Sequence, residues 1–219
     1  MMCRYCESRC IRKGKQRNGT CKYRCVDCGK YQQITYSRLA YNSNTNAHIV
    51  TLLKEGCGTR SISRILGIAP QTVTRRILKI AASLKKPVVQ FGKSYEVDEL
   101  FTYVAHKNNR VCIAYSLEPK TKTVVDIVVG KRNKMNLNKI VSTLLLSNAV
   151  KITTDKLNIY KELIPSGIHS TKFRGINRIE RQNLTLRTHL KRLGRRTICF
   201  SRSLAVLSAV VRIYFWGVS

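Results

Sequence analysis

Two groups of residues in this sequence have types and spacings that can do chemistry. The first is Cys3-x2-Cys6 and Cys25-x2-Cys28, with 18 residues between the two pairs. Four thiolates so spaced can surround one Zn²⁺ tetrahedrally, as in a zinc ribbon. A segment of about 35 residues cannot stabilise itself by burial alone, so the metal would supply the folding energy. Gly29, after the second pair, permits the tight turn such knuckles need. Cys10 and Cys21 belong to no such pair and read as bystanders, although either could substitute as a ligand or recruit a second metal.

The second group is a small set of acids. Residues 91–219 hold eight: Glu96, Asp98, Glu99, Glu118, Asp126, Asp155, Glu162 and Glu180. Metal-dependent phosphoryl transfer needs carboxylates that converge on divalent cations, Mg²⁺ or Mn²⁺, which clamp the attacking and leaving oxygens. Asp98 lies mid-strand between Val97 and Glu99-Leu100. Asp155 follows Lys151-Ile152-Thr153-Thr154 at a strand's carboxyl end, the side on which α/β sheets bind ligands. Glu180 lies on a late helix whose Glu180, Asn183, Arg187 and Lys191 form one stripe beside an apolar one of Ile176, Ile179, Leu186, Leu190 and Leu193. Asp98, Asp155 and Glu180 are therefore the expected catalytic and metal-ligating triad. Alternation puts Glu96 on the same strand face as Asp98, where it could assist or replace it, and Glu99 on the opposite face. Asp126 and Glu162 read as surface groups, and Cys57, Cys112 and Cys199 as buried thiols. His106, His169 and His189 read as structural or phosphate-facing, His189 being best placed for a phosphate. Ser201 and Ser203 lack an activating base and acid.

The elements that must position these residues follow from periodicity. Ile49, Leu52 and Leu53 share a face of a first helix, which Gly56 and Gly58 end. Thr59 can cap a second helix carrying Ile62, Ile65 and Leu66. Gly67 turns the chain and Pro70 starts a third helix. Small Ser63, then Gly67, then Val73 has the spacing of a helix-turn-helix. Val73, Ile77 and Ile80 then face inward and Gln71, Thr72, Arg75, Arg76 and Lys79 outward, toward base edges of a major groove. Lys85-Lys86-Pro87 reads as a linker. Strands are expected over 94–104, 110–117 and 121–129, then a helix over 135–147, a strand over 150–154, a helix over 156–163, a brief strand near His169 and a helix over 176–193. Three meandering strands followed by alternating helices and strands is a ribonuclease-H-like order. The expected architecture is multidomain: a zinc ribbon over 1–36, an all-α helix-turn-helix domain over 43–86, and an α/β ribonuclease-H-like catalytic domain over 94–219, with a mixed five-stranded sheet flanked by helices.

Composition sets the partner. The 219 residues carry 41 Lys+Arg and 11 Asp+Glu, a net charge of +30, while the hydrophobic fraction of 43% is ordinary. Such a chain can build a core yet repels itself unless a polyanion neutralises it, so nucleic acid is the expected partner. Both halves contribute: 18 − 3 = +15 over residues 1–90 and 23 − 8 = +15 over 91–219. No apolar run reaches the roughly 20 residues needed to span a bilayer, and Met1-Met2-Cys3-Arg4 begins no secretory signal. A cytoplasmic protein, with its clustered cysteines on metal rather than in disulfides, is expected.

The chain resembles the insertion-sequence-one family of DDE transposases. The stretches that carry the resemblance are Ser94-Tyr95-Glu96-Val97-Asp98-Glu99, Val129-Gly130-Lys131-Arg132, Thr154-Asp155 with Tyr160, Ile179-Glu180-Arg181-Gln182-Asn183-Leu184, Leu186-Arg187-Thr188, and residues 196–203, together with the cysteine pairs and helix-turn-helix. Leu157 stands in a region where the family usually has Trp. The resemblance implies that Asp98, Asp155 and Glu180 bind the divalent metals. It implies hydrolysis of the strand at transposon ends and attack of the freed 3′-hydroxyl on target DNA. It also implies recognition of the terminal inverted repeats of double-stranded DNA by the N-terminal modules, in a homo-oligomer. Arg178, Arg181, Asn183, Arg187 and Lys191 would add DNA contacts on the catalytic domain, whose stretch 181–219 has eight cations and no acid. The alternative is a zinc-ribbon and helix-turn-helix regulator whose catalytic domain has decayed.

Overall fold

A computed structural model describes residues 1–34, 40, 42–172, 176–194, 196–197 and 199–218. The expected boundaries at 36 and 219, and Ile198, lie outside them. Two compact units emerge, Met1–Ser43 and Asn44–Ser219.

In the first unit, β1 (Cys10–Lys15), β2 (Cys21–Cys25) and β3 (Tyr31–Gln32) form an antiparallel sheet in that order. Its buried cluster is little more than Cys3, Cys10 and Cys25 with Tyr23 packed against them. That is too little apolar surface to hold a fold.

The second unit starts with α1 (Thr45–Lys54), α2 (Thr59–Leu66) and α3 (Pro70–Ser83). Ile49, Leu53, Ile62, Val73 and Ile77 are buried, as their periodicity requires. Gly67 ends α2 in the left-handed region at φ 63°, a conformation glycine adopts without strain. Ser63 reinforces the turn, its Oγ donating to the Ile68 carbonyl at 2.6 Å. Thr59 is the first helical residue and Gly58 takes the cap position.

A five-stranded sheet follows, in the order β6 (Thr123–Gly130), β5 (His106–Glu118), β4 (Ser94–Val104), β7 (Lys151–Thr153), β8 (His169–Ser170). The first three strands are mutually antiparallel, and β7 and β8 are parallel to β4. The crossovers carry α4 (Lys134–Leu146) and α5 (Asn158–Leu163). Both pack on one face, over Tyr95, Val97, Cys112, Ala114 and Ile152. On the other lie α6 (Asn177–His189), a 3-10 turn over Lys191–Leu193, and α7 (Leu204–Trp216). Helix α7 also packs against α1 and α3, so it is the element that joins the three-helix region to the sheet. Gly56, at φ 79°, lets the α1 end pass the α6 end: a Cβ there would lie 2.1 Å from the His189 carbonyl oxygen.

Three expectations change. The late helix stops at His189 and tightens into the 3-10 turn. Asp126 is buried rather than on the surface, and pairs with Lys86 at 2.6 Å while accepting from Thr143 Oγ1 at 3.0 Å. The linker is thereby fastened to the sheet. Among the three cysteines, Cys112 is buried, Cys57 half-buried and Cys199 exposed.

Candidate metal centres and nucleic-acid face

The sulfurs of Cys3, Cys6, Cys25 and Cys28 lie within 4.8 Å of one another. Cys3–Cys28 is 3.6 Å and Cys6–Cys25 is 3.4 Å. A tetrahedron with Zn–S of about 2.3 Å has edges of about 3.8 Å, so the set fits one zinc ion. The crowding shows in the thiol acidities. The Ser8 N–H, with Cys25 and other donors, lowers Cys6 to about 6. Cys28 is pushed up to about 12: the Lys30 N–H opposes this, but burial and the other three sulfurs disfavour further negative charge. Four thiolates gather stably only around a cation. Cys10 stands outside the set, its sulfur taking an N–H of the buried Gln32 side chain at 2.8 Å.

The acidic site forms where β7 ends. Its last pairing with β4 is Thr153 opposite Glu96. Between that point and the Val104–Ser201 bridge, β4 has no strand partner on that side among the described residues, which leaves a gap that the segment after β7 enters. Asp98, Glu99 and Asp155 converge there, carboxylate oxygens within 4.8 Å of one another. Asp155 is fixed by the Leu157 N–H, which donates to its Oδ1 at 3.0 Å. That contact is main chain, so it does not depend on the side chain at position 157. Glu180, exposed on the first turn of α6, stands outside that close group and lines a 330 Å³ open cleft with Asp98, Glu99, Asn183 and Arg187.

Glu99 is the residue that strand alternation sets aside. It does point to the α5 face, where the buried Tyr160 donates its hydroxyl to Glu99 Oε1 at 2.6 Å. The strand end is what brings it back to the cluster. Glu96, in contrast, is occupied: its Oε2 accepts the Ile179 N–H at 2.8 Å, a carboxylate at the start of α6. Asp98 is held from the same helix. Tyr115 donates to Asn183 Oδ1 at 2.8 Å, and Asn183 Nδ2 donates to Asp98 Oδ2 at 2.7 Å.

Burial, reinforced by Asp155 and Glu180, pushes Asp98 up to about 6 against the opposing Glu99 N–H. Burial also pushes Glu99 up to about 7, with Asp155 and Asp98 adding to it and the Tyr160 hydroxyl opposing. An all-oxygen donor set with disfavoured negative charge fits a hard divalent cation, Mg²⁺ or Mn²⁺. The sign of the pH dependence follows. Folded-state values above the unfolded ones mean that ionisation costs stability once pH rises through 6 to 7. A cation needs the ionised forms and relieves that cost. The thermal shift produced by saturating Mg²⁺ should therefore grow as pH rises from 5 to 8. A shift independent of pH, or shrinking with it, would contradict this assignment.

The expected DNA contacts divide. On α3, Gln71, Arg75 and Lys79 are exposed, Thr72 is half-buried, and Arg76 donates to Asn46 Oδ1 at 2.9 Å. On and after α6, Arg181 and Lys191 are exposed, and the exposed Arg178 donates to the Pro119 carbonyl. Asn183 serves Asp98, and Arg187 donates to the carbonyls of Leu193 at 2.7 Å and Phe101 at 3.3 Å. These two hold the site together from within. His189 pairs with the Tyr214 hydroxyl at 2.7 Å. No helix among the described residues is long and apolar enough to cross a membrane.

Residues 93–216 match the family model described as IS1 transposase. The insertion element IS1 9 protein InsB of Escherichia coli (strain K12) is 33% identical over 147 residues, 67% of this chain and 83% of that protein. The IS1 protein InsB of Haemophilus ducreyi shows the same identity and coverage. Among solved structures, a chain of the simian T-cell lymphotropic virus intasome with the PP2A regulatory subunit B56 gamma aligns with a TM-score of 0.39 and 16% identity, over 78% of this chain and 67% of that one.

Proposed function

We propose that this chain, which belongs to the IS1 transposase family, binds the terminal inverted repeats of an insertion sequence and cuts and rejoins DNA strands at an acidic DDE-type centre. The observation that carries the reading is the convergence of the Asp98, Glu99 and Asp155 carboxylates at the end of β7, with Glu180 lining an open cleft beside Asp98 and Glu99, inside the segment matched by the family. Asp98, Asp155 and Glu180 would hold Mg²⁺ or Mn²⁺. When bound, such ions stabilise charge on the attacking and leaving oxygens of a phosphoryl transfer. The chain's own task is placement. Asn183 and Tyr115 fix the Asp98 carboxylate, the Leu157 N–H fixes that of Asp155, and α6 carries Glu180 to the cleft mouth. Strand hydrolysis at the element's ends would free a 3′-hydroxyl, which then attacks target DNA.

In this reading Met1–Ser43 is a zinc ribbon on Cys3, Cys6, Cys25 and Cys28. The α2–Gly67–α3 turn is a helix-turn-helix that presents Gln71, Thr72, Arg75 and Lys79 to a major groove. Arg178, Arg181 and Lys191 lie along the phosphate track. The protein acts as a homo-oligomer on paired ends, in the cytoplasm.

The deciding experiment is incubation of the full chain with a duplex carrying the repeats that flank its coding region. Mg²⁺ should produce strand cleavage at the repeat boundary that leaves a 3′-hydroxyl, with no product in chelator. Equal cutting of a scrambled duplex would replace this reading with that of a general nuclease.

A further inference from the structure

The sheet face that carries Glu99 holds a second feature that neither the triad nor the α6 cations use. Glu99 and Phe101 lie on that face two residues apart, about 7 Å along β4. The β4–β5 register sets Phe101 opposite Cys112 and Tyr103 opposite Arg110, so Arg110 shares the face. Its guanidinium lies 4.0 Å from the centroid of the Phe101 ring. Arg132, two residues after β6 ends, lies 5.2 Å from the same centroid. Phe101 packs against the core below.

Both arginines are exposed, and neither belongs to the ion pairs found among the described residues, Lys86–Asp126 and Lys134–Glu162. Two like charges thus share one ring. Each cation–π contact offsets only about 0.5–1 kcal/mol at an exposed position, so the pair is poised for an anion. Arg132 also lies near enough to Glu99 to favour its charged form. A guanidinium seated over an aromatic ring keeps N–H donors available, and its fork can take a phosphate through two parallel hydrogen bonds.

We propose that Arg110 and Arg132, laid on Phe101, form a clamp for a backbone phosphate of the DNA strand next to the bond being cut, on the α4 side of the acidic cluster. Phe101 is its positioning residue. The proposal rests on the reading that DNA is cut at that cluster, and it assigns the course of the strand past it: from the α6 cations, across the acids, to this pair.

The test uses the full chain, an end-repeat duplex and binding measured by fluorescence anisotropy between 50 and 300 mM KCl. Replacing Arg110→Gln and Arg132→Gln together should reduce the log–log salt slope by about 1.8, two contacts at about 0.9 each. The ratio of repeat to scrambled affinity should not change. A methylphosphonate placed at successive positions around the cleavage site locates the clamp. At one or two positions beside the cut bond it should weaken binding by the wild type but not by the double variant. Arg132→Gln alone, on a residue outside the strand ladder, should show half the slope change and guards against misfolding. An unchanged slope in both variants, or methylphosphonate losses that simply add to the arginine losses at every position, would overturn the clamp. Absence of any salt-dependent binding by the wild type would instead overturn the underlying reading.

Discussion

Asp155→Asn should abolish metal-dependent strand cleavage, lowering the rate by about 10³-fold or more, while leaving the melting temperature and DNA affinity near wild type. The magnitude follows from what a carboxylate contributes when it holds a cation against a phosphoryl group, several kcal/mol of transition-state stabilisation at about 1.4 kcal/mol per tenfold. The choice of position follows from hydrogen bonding. Asp155 uses one oxygen, Oδ1, to accept the Leu157 N–H. Asparagine keeps that acceptor and loses only the charge. At Asp98 both oxygens accept, Oδ1 from the Glu99 N–H and Oδ2 from Asn183 Nδ2. An amide there would set one NH₂ against another, and turning Asn183 would forfeit its bond from Tyr115. Asp98→Asn would thus mix a structural defect with the chemical one. Glu180→Gln offers the second clean test, because the side chain is exposed on α6 and lines the cleft. Cleavage at the wild-type rate by Asp155→Asn or Glu180→Gln would remove that residue from the triad. Single-turnover cleavage of labelled duplex, with binding measured separately in Ca²⁺, distinguishes lost chemistry from lost affinity.

Periodicity located the elements that hold this site better than it located the contacts between them. The helices of 45–83 each bury one apolar stripe, so Ile49, Ile62, Val73 and Ile77 announce themselves. Asp98 and Asp155 were legible because a polar residue in an apolar strand, or just past one, has few other uses. Glu99 was not, because alternation assigns it correctly to the other face but does not show that the strand beside it ends and leaves both faces open to the cluster. Its position depends on β7 being only Lys151–Thr153, a length that the run 150–154 overstates. The burial of Asp126 is hidden from local pattern for a related reason. Its partner is the linker residue Lys86, 40 positions earlier, and no local pattern encodes that encounter. Helix α7 reads in sequence as an unassigned apolar run because it is buried on several sides, against α1, α3 and β6, so it lacks the polar stripe that marks a surface helix. Asn183 and Arg187 share a stripe with Glu180, as their spacing requires. Which groups a stripe binds is decided by tertiary packing, and here Asn183 donates to the Asp98 carboxylate and Arg187 to the Leu193 carbonyl.

Removal of zinc should unfold Met1–Ser43 and leave Asn44–Ser219 folded. The first unit has almost no other source of stability. Its buried side chains among the described residues are Cys3, Cys10, Cys25 and Gln32, whereas a structural zinc site contributes apparent free energies of about 10–16 kcal/mol at neutral pH. The buried Cys25 is the position of choice, because its sulfur lies 3.4 Å from that of Cys6 and β2 places it. Cys25→Ser should lose the bound zinc, and with it the dispersed amide resonances of residues 1–34, while the thermal transition of the larger unit persists. Affinity for the inverted repeat should fall with it, since Arg9, Arg12, Lys13 and Lys22 would no longer be held on one scaffold. Cys10→Ser makes the contrast. Its sulfur accepts from Gln32 and stands outside the group of four, and a hydroxyl oxygen can accept the same bond. That variant should keep one zinc per chain and cost at most about 1 kcal/mol. Zinc content measured by atomic absorption, alongside amide spectra of the same samples, separates the cases. A folded first unit after zinc loss, or zinc retained in Cys25→Ser but lost in Cys10→Ser, would show that the sheet is held by something other than these four thiolates.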